Sequence, residues 1–263
     1  MQKGNLTGFS AIRGYCILPI HTHMKRLLFL LVWLPLLGYS QEQKDIDPVA
    51  ISLIDKMGAV IGSFGTCAFN LTTVYDETNE EGMLERKFED HKVYLRGPDR
   101  MAVRSRGEKG NKGYWYNGDY ITWYSYDENN YVTIPAPDTI IGTIDSLNTT
   151  FGFRFPAADF FYPAFGDDLL EEFDTLKFAG IKTLGNTEYF HIIAENETYN
   201  FQLWIENGAY YLPKKYLIIR KSPQLAMEEG TFDSWITNSS MPDEIFEFTP
   251  PKNADLIDIM PKN

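Results

Sequence analysis

Phe64-Gly-Thr-Cys-Ala-Phe-Asn-Leu-Thr-Thr-Val-Tyr75 is where the chain changes its period, and that change decides the fold. Within it Cys67, Phe69, Leu71 and Thr73 alternate with Thr66, Ala68, Asn70 and Thr72. A repeat of two puts the first set on one face of a β-strand and the second on the other. The residues before it repeat differently. Ile46, Val49, Ala50, Leu53, Ile54, Met57, Val60 and Ile61 fall at helical spacing and form one apolar stripe. Asp47 is placed to cap this helix, Pro48 suits its first position, and Gly62 or Gly65 ends it.

Beyond Tyr75 the period of two persists. Further strands are expected at residues 83–95, 100–106, 112–116, 119–125 and 130–134, with Asn117-Gly118 as the hairpin turn between the fourth and fifth. Connections this short fit an antiparallel meander, because parallel pairs require long crossovers. Pro135 and Pro137 stop the run, and residues 138–173 lose the alternation, reading as helical or irregular with breaks at Pro156 and Pro163. Alternation returns at 175–182, 188–195, 199–206, 210–221 and 226–237. The expected fold is mainly β, of the α+β class. It is a single large curved antiparallel sheet, or half-open β-barrel, of about eleven strands whose concave side is plugged by helices.

Outward from this domain, residues 24–40 (MKRLLFLLVWLPLLGYS) carry a secretory signal. Lys25 and Arg26 make the basic n-region, Leu27 to Leu37 the apolar core, and Gly38 to Ser40 the small-residue end, with cleavage expected after Ser40. Eleven apolar residues are too few for a stable membrane span, which needs about 20. Residues 1–23 stand outside the pattern and read as an upstream extension from a mis-called start codon. Residues 41–263 are then one exported domain, periplasmic in a bacterial cell. The first 40 residues hold Lys3, Arg13, Lys25 and Arg26 and no acid, so their removal takes the net charge from −12 to −16. So acidic a chain repels phosphate backbones, which excludes nucleic-acid binding. Of the two cysteines only Cys67 lies in the domain, so its stability rests on a core rather than on an internal disulfide. With 44% hydrophobic and 15% aromatic residues the chain has the means to build one, and a monomer is expected.

Catalytic chemistry is sparse. His91 and His191 are isolated strand histidines without metal-ligand spacing. Ser63 lacks the frame of a nucleophile elbow, and alternating Cys67 reads as a buried hydrophobe. Asp76, Thr78 and Glu80 begin like a calcium loop, but Glu81 stands where such a loop needs glycine. Asp167, Asp168, Glu171, Glu172 and Asp174 suit a helix start. No catalytic residue, metal site or cofactor is assigned, and an enzyme is not expected.

Aromatic richness remains. Tyr114, Trp115, Tyr116, Tyr120, Trp123, Tyr124 and Tyr126 crowd one hairpin, and Phe151, Phe153, Phe155, Phe160, Phe161, Tyr162 and Phe165 crowd the insert. These rings either fill a core or line a partly open apolar cavity gated by the insert. On the second reading the cavity is lined by Phe69, Leu71, Trp115, Trp123, Phe160, Phe161, Leu203 and Ile205, with Asp159-Phe160-Phe161-Tyr162 as a lid between two prolines.

The insert from Pro137 to Pro163, the strand Phe201-Gln-Leu-Trp-Ile205, the stretch Tyr211-Leu-Pro-Lys-Lys-Tyr216 and the closing Phe246-x-Phe-x-Pro-Pro251 resemble the predicted periplasmic proteins of domain-of-unknown-function family 2092. That family is grouped with the LolA-like lipoprotein carriers, and the resemblance covers residues 45–257. It implies a half-open barrel with an apolar interior suited to acyl chains. Lipoprotein carriers use a barrel arginine in gating. Arg86, Arg96, Arg104 and Arg106 are strand arginines here, but no motif matches one of them to that role. Shared fold does not fix function. The expected function is a non-enzymatic carrier or chaperone for a lipid or lipoprotein acyl chain. The alternative is an envelope protein–protein interaction module whose barrel is filled.

Overall fold

A computed structural model describes residues 44–221 and 225–261. The expected signal peptide and upstream extension lie outside the described residues. The first helix, α1 (Pro48–Gly62), forms as its stripe requires: Asp47 accepts a hydrogen bond from the Val49 amide, Pro48 opens the helix, and Ala50, Leu53, Ile54, Met57 and Ile61 are buried. The stripe is narrower than expected. Val49 is exposed, because it lies in the first turn beyond the edge of the sheet-facing arc, and Ile46 belongs to a short strand instead.

Eleven strands follow the alternation. They are β2 (Thr66–Thr78), β3 (Leu84–Arg96), β4 (Arg100–Gly107), β5 (Gly110–Tyr116), β6 (Tyr120–Ser125), β7 (Asn130–Pro135), β8 (Thr175–Leu184), β9 (Thr187–Glu195), β10 (Tyr199–Glu206), β11 (Pro213–Arg220) and β12 (Ala226–Thr237). Two-residue strands β1 (Asp45–Ile46) and β13 (Asp255–Leu256) raise the number to thirteen. They pair in parallel with β8 and β7 and cover the two edges, where unpaired N–H and C=O groups would invite other chains. The order is β1-β8-β9-β10-β11-β12-β2-β3-β4-β5-β6-β7-β13, so two meanders meet where β12 pairs antiparallel with β2. The sheet is curved and open; it does not close into a barrel. Irregular register marks bulges in β8, β11 and β12, which bend the strands that carry them.

The hairpin between β5 and β6 turns one residue later than expected. The Asn117 amide donates to the Tyr120 carbonyl, leaving Gly118 and Asp119 at the tip. Gly118 takes the positive φ of +95° that the tip demands. Asn117 instead serves with its side chain, which accepts from the Asp119 and Tyr120 amides.

The insert joins the two meanders across the concave side. It consists of α2 (Ile140–Phe151), capped by Thr139 and ended by left-handed Gly152, then a 3₁₀ turn at Ala158–Phe161, then α3 (Phe165–Glu172). α1 and α3 bury the concave face under β8–β11, where Leu176, Ile192, Ala194, Leu203, Ile205 and Phe173 are fully enclosed, while α2 lies over β2–β4, its Ile140, Ile141 and Ile144 beside Phe69, Val93, Met101 and Val103. The convex face of β2–β7 is crossed by the C-terminal segment. Phe246 packs there with Ala68, Ala102 and Met241, and Phe248 lies among Trp115, Tyr124 and Tyr131. Arg96 fastens this segment, pairing with Asp243 and donating to the Met241 carbonyl at 2.8 Å. No helix among the described residues is long and apolar enough to cross a membrane.

Candidate functional site: a cavity between the concave sheet and the insert

Along β2 the concave face changes character. Phe69 and Leu71 are core residues, whereas Thr73, Tyr75 and Glu77, next on the same face, border a cavity of about 560 Å³. Its sheet wall is built from register. Leu71 opposes His91, which opposes Ser105, which opposes Lys112, so these side chains share one face. Tyr114 opposes Trp123 in the next row. Phe201, Tyr216, Ile218 and Glu228 close it from the other meander, and residues 152–160 of the insert, with Phe165 of α3, form its roof. Glu77, Lys109 and Arg154 are exposed at its mouth.

A polar chain crosses the floor. The His91 Nδ1 lies 2.8 Å from the Ser105 hydroxyl oxygen, and its Nε2 lies 3.0 Å from that of Thr73. The Thr73 hydroxyl also reaches the Glu89 carbonyl at 3.4 Å. Burial lowers the His91 pKa to about 4, with Asp90 opposing and Lys112 reinforcing the shift, so the ring is neutral at pH 7. Tyr216 is fully buried, its ring lies over Gly230, and its hydroxyl donates to the Glu228 carboxylate at 3.1 Å. Burial raises the Glu228 pKa against the Tyr216 bond and the charges of Arg154 and Lys109. Burial also pushes the Tyr114 hydroxyl up to about 12.

A second, apolar space of about 50 Å³ adjoins the first. His91, Val103, Phe155 and Pro156 border both, so the Phe155-Pro156 step is the partition between them.

Of the eight residues expected to line a cavity, Trp123 and Phe160 meet at the larger space. Phe69 and Phe161 border the smaller one, stacked with centroids 5.6 Å apart. Leu71, Leu203 and Ile205 lie in the filled core. Trp115 is on the convex face against Phe248, on the far side of the sheet from both spaces. The expected lid is a buried wedge: Phe160 is 4% exposed and touches Phe165, Tyr216 and Phe232. Thr73, His91, Ser105, Lys112, Arg154 and Glu228 complete the wall without having been expected there. The available signal was the loss of apolar residues along the Phe69-Leu71-Thr73-Tyr75-Glu77 face. Arg86, Arg96, Arg104 and Arg106 alternate out of phase with His91 and Ser105 and point to the convex face. Among the described residues no group of three His, Cys, Asp or Glu is placed to hold a metal ion.

Several solved structures are similar to the chain. The lipoprotein LppX of Mycobacterium tuberculosis is 14% identical, with a TM-score of 0.47, over 74% of this chain and 98% of its own. An uncharacterized conserved protein of Thermus thermophilus is 11% identical, with a TM-score of 0.45, over 80% and 98%. A LolA superfamily protein of Nitrosomonas europaea is 10% identical, with a TM-score of 0.35, over 76% and 97%. No curated protein matches. The family described as predicted periplasmic protein (DUF2092) matches residues 50–260, nearly the whole of the domain, and the chain belongs to that family.

Proposed function

We propose that this protein is an exported, non-enzymatic carrier that takes up a lipid, or the acyl chain of an acylated protein, in the cavity between its concave sheet and its insert, and that it acts as a monomer. The observation that carries this reading is the cavity itself. Its volume of about 560 Å³ falls within the range of small-molecule sites, about 300–1,000 Å³. Its walls include Tyr114, Trp123, Phe153, Phe155, Phe160 and Phe165, while its mouth is charged. An amphiphile matches that division: its chain meets the rings and its polar end stays near water. Burying about eight methylenes yields about 6 kcal/mol before the costs of association. The smaller apolar space behind Phe155 gives a longer chain somewhere to extend.

Export through residues 24–40 belongs to the same reading and agrees with the family's description. The test is native mass spectrometry of protein isolated from its own cell envelope without detergent. A carrier retains a lipid mass that organic extraction removes. Protein that carries no lipid and takes up no fatty acid would instead be the filled interaction module.

A further inference from the structure

The charges around the cavity are unevenly matched. Four acids line it, and three of them have partners. Glu77 pairs with Lys109 at 3.3 Å, and Glu228 accepts from Tyr216. Glu89 faces the Tyr75 hydroxyl, whose pKa burial first and Glu89 second push upward, and buried Asp159 also has a partner. Of the three cations, Lys109 is taken up by Glu77 and by the Tyr75 ring, 4.5 Å from its ammonium. Lys112 and Arg154 have neither an ion pair nor a hydrogen bond among the described residues. Lys112 is half-buried on the sheet wall beside Ser105 and His91, and Asp127, an acid its charge acts on, is held by the Asn111 amide and side chain at 2.7 Å each. Arg154 approaches from the roof, where its charge acts on Glu228, already bonded to Tyr216.

A half-buried ammonium loses hydration without a counter-charge to replace it, which a structure sustains at a cost. An anionic group entering between sheet and roof would supply that counter-charge. Guanidinium and ammonium donors together suit a carboxylate or a phosphate, and charge-assisted hydrogen bonds are the stronger kind. We infer that Lys112 and Arg154 form an anion subsite, which holds the carboxylate or phosphate of an amphiphile whose chain occupies the aromatic part of the same cavity. The inference rests on the carrier reading and narrows it to anionic amphiphiles. Neutral and cationic ones lack the group that these two side chains lack.

The test is displacement of a fluorescent fatty acid from the full domain by four ligands of equal chain length: palmitate, hexadecyl phosphate, hexadecanol and hexadecyltrimethylammonium. Palmitate or hexadecyl phosphate should compete at least tenfold more strongly than hexadecanol, and the stronger of the two identifies the anion. The advantage should fall to about twofold in the Lys112→Gln/Arg154→Gln variant, whose retained fold is checked by circular dichroism. Equal competition by hexadecanol and both anions, or an anion advantage that survives the double substitution, overturns the subsite and leaves the carrier standing. Failure of all four ligands and of the probe itself to bind overturns the carrier reading, and the subsite with it.

Discussion

The Phe161 ring stacks on Phe69 with 5.6 Å between centroids and 10° between planes, which fixes the insert to β2 at the middle of the sheet. Next to it Phe160 reaches deeper, into Phe165, Tyr216 and Phe232. The pair divides the labour of the wedge: Phe160 belongs to the core, and half-buried Phe161 borders the smaller apolar space. Phe160→Ala should therefore cost about 3–5 kcal/mol of stability, as buried phenylalanines do, and Phe161→Ala less than half of that. Urea unfolding of the two variants checks it. Equal and small costs would mean that the segment lies loosely on the sheet.

Gly230 is fixed by Tyr216. A Cβ at this position would stand 2.0 Å from the ring carbon Cε1 of Tyr216, so an alanine must displace a fully buried ring. Gly230→Ala should cost about 1–3 kcal/mol, the usual range for overpacking. The same substitution in a Tyr216→Ala background should cost much less, and a denaturation double-mutant cycle measures the coupling. Additive costs would place the strain elsewhere.

His91 makes stability depend on pH in a defined window. Its folded pKa, about 4, lies below the unfolded value of about 6.5, so between these values the unfolded chain binds more protons than the native one. Its contribution is fully present above about pH 6.5 and is lost as the pH falls toward 4, by roughly 3 kcal/mol in all. Asp76, Asp127 and Asp243, whose pKa values hydrogen bonding lowers, add an acid loss of their own at lower pH. The difference between wild type and His91→Gln isolates the histidine. It should narrow as the pH drops from 6.5 to 4, because the loss from His91 falls on the wild type alone, whereas that from His191, whose pKa burial also lowers, is common to both. Parallel profiles would mean that His91 titrates normally.

The strands were legible because each is long enough to display its period, and so was α1, with a stripe, a cap and a proline in agreement. Strands β1 and β13 were not, since two residues show no period and their pairing depends on distant partners. The C-terminal segment over the convex face was hidden for a similar reason: Phe246 and Phe248 resemble the end of a strand, and what sets them apart is their docking on residues distant in sequence, such as Arg96 with Asp243. The placing of Trp115 was within reach. Across a hairpin with a two-residue tip, opposed residues have numbers that sum to an odd value, as Tyr114 and Trp123 do, so Trp115 and Trp123 cannot share a face. The cavity was harder to see. It depends on where the helices stop covering the sheet, and alternation along a strand carries no information about what lies above it.

The central claim, that an acyl chain enters the space beside Trp123, is open to direct measurement. Trp123 lines the larger cavity, whereas Trp115 lies across the sheet from it. Tryptophan fluorescence during titration with a dibrominated stearic acid reads contact between the brominated chain and each indole. Saturable quenching near one equivalent is predicted, most of it lost in Trp123→Phe and all of it retained in Trp115→Phe. Absence of saturable quenching, or undiminished quenching in Trp123→Phe, would contradict the account.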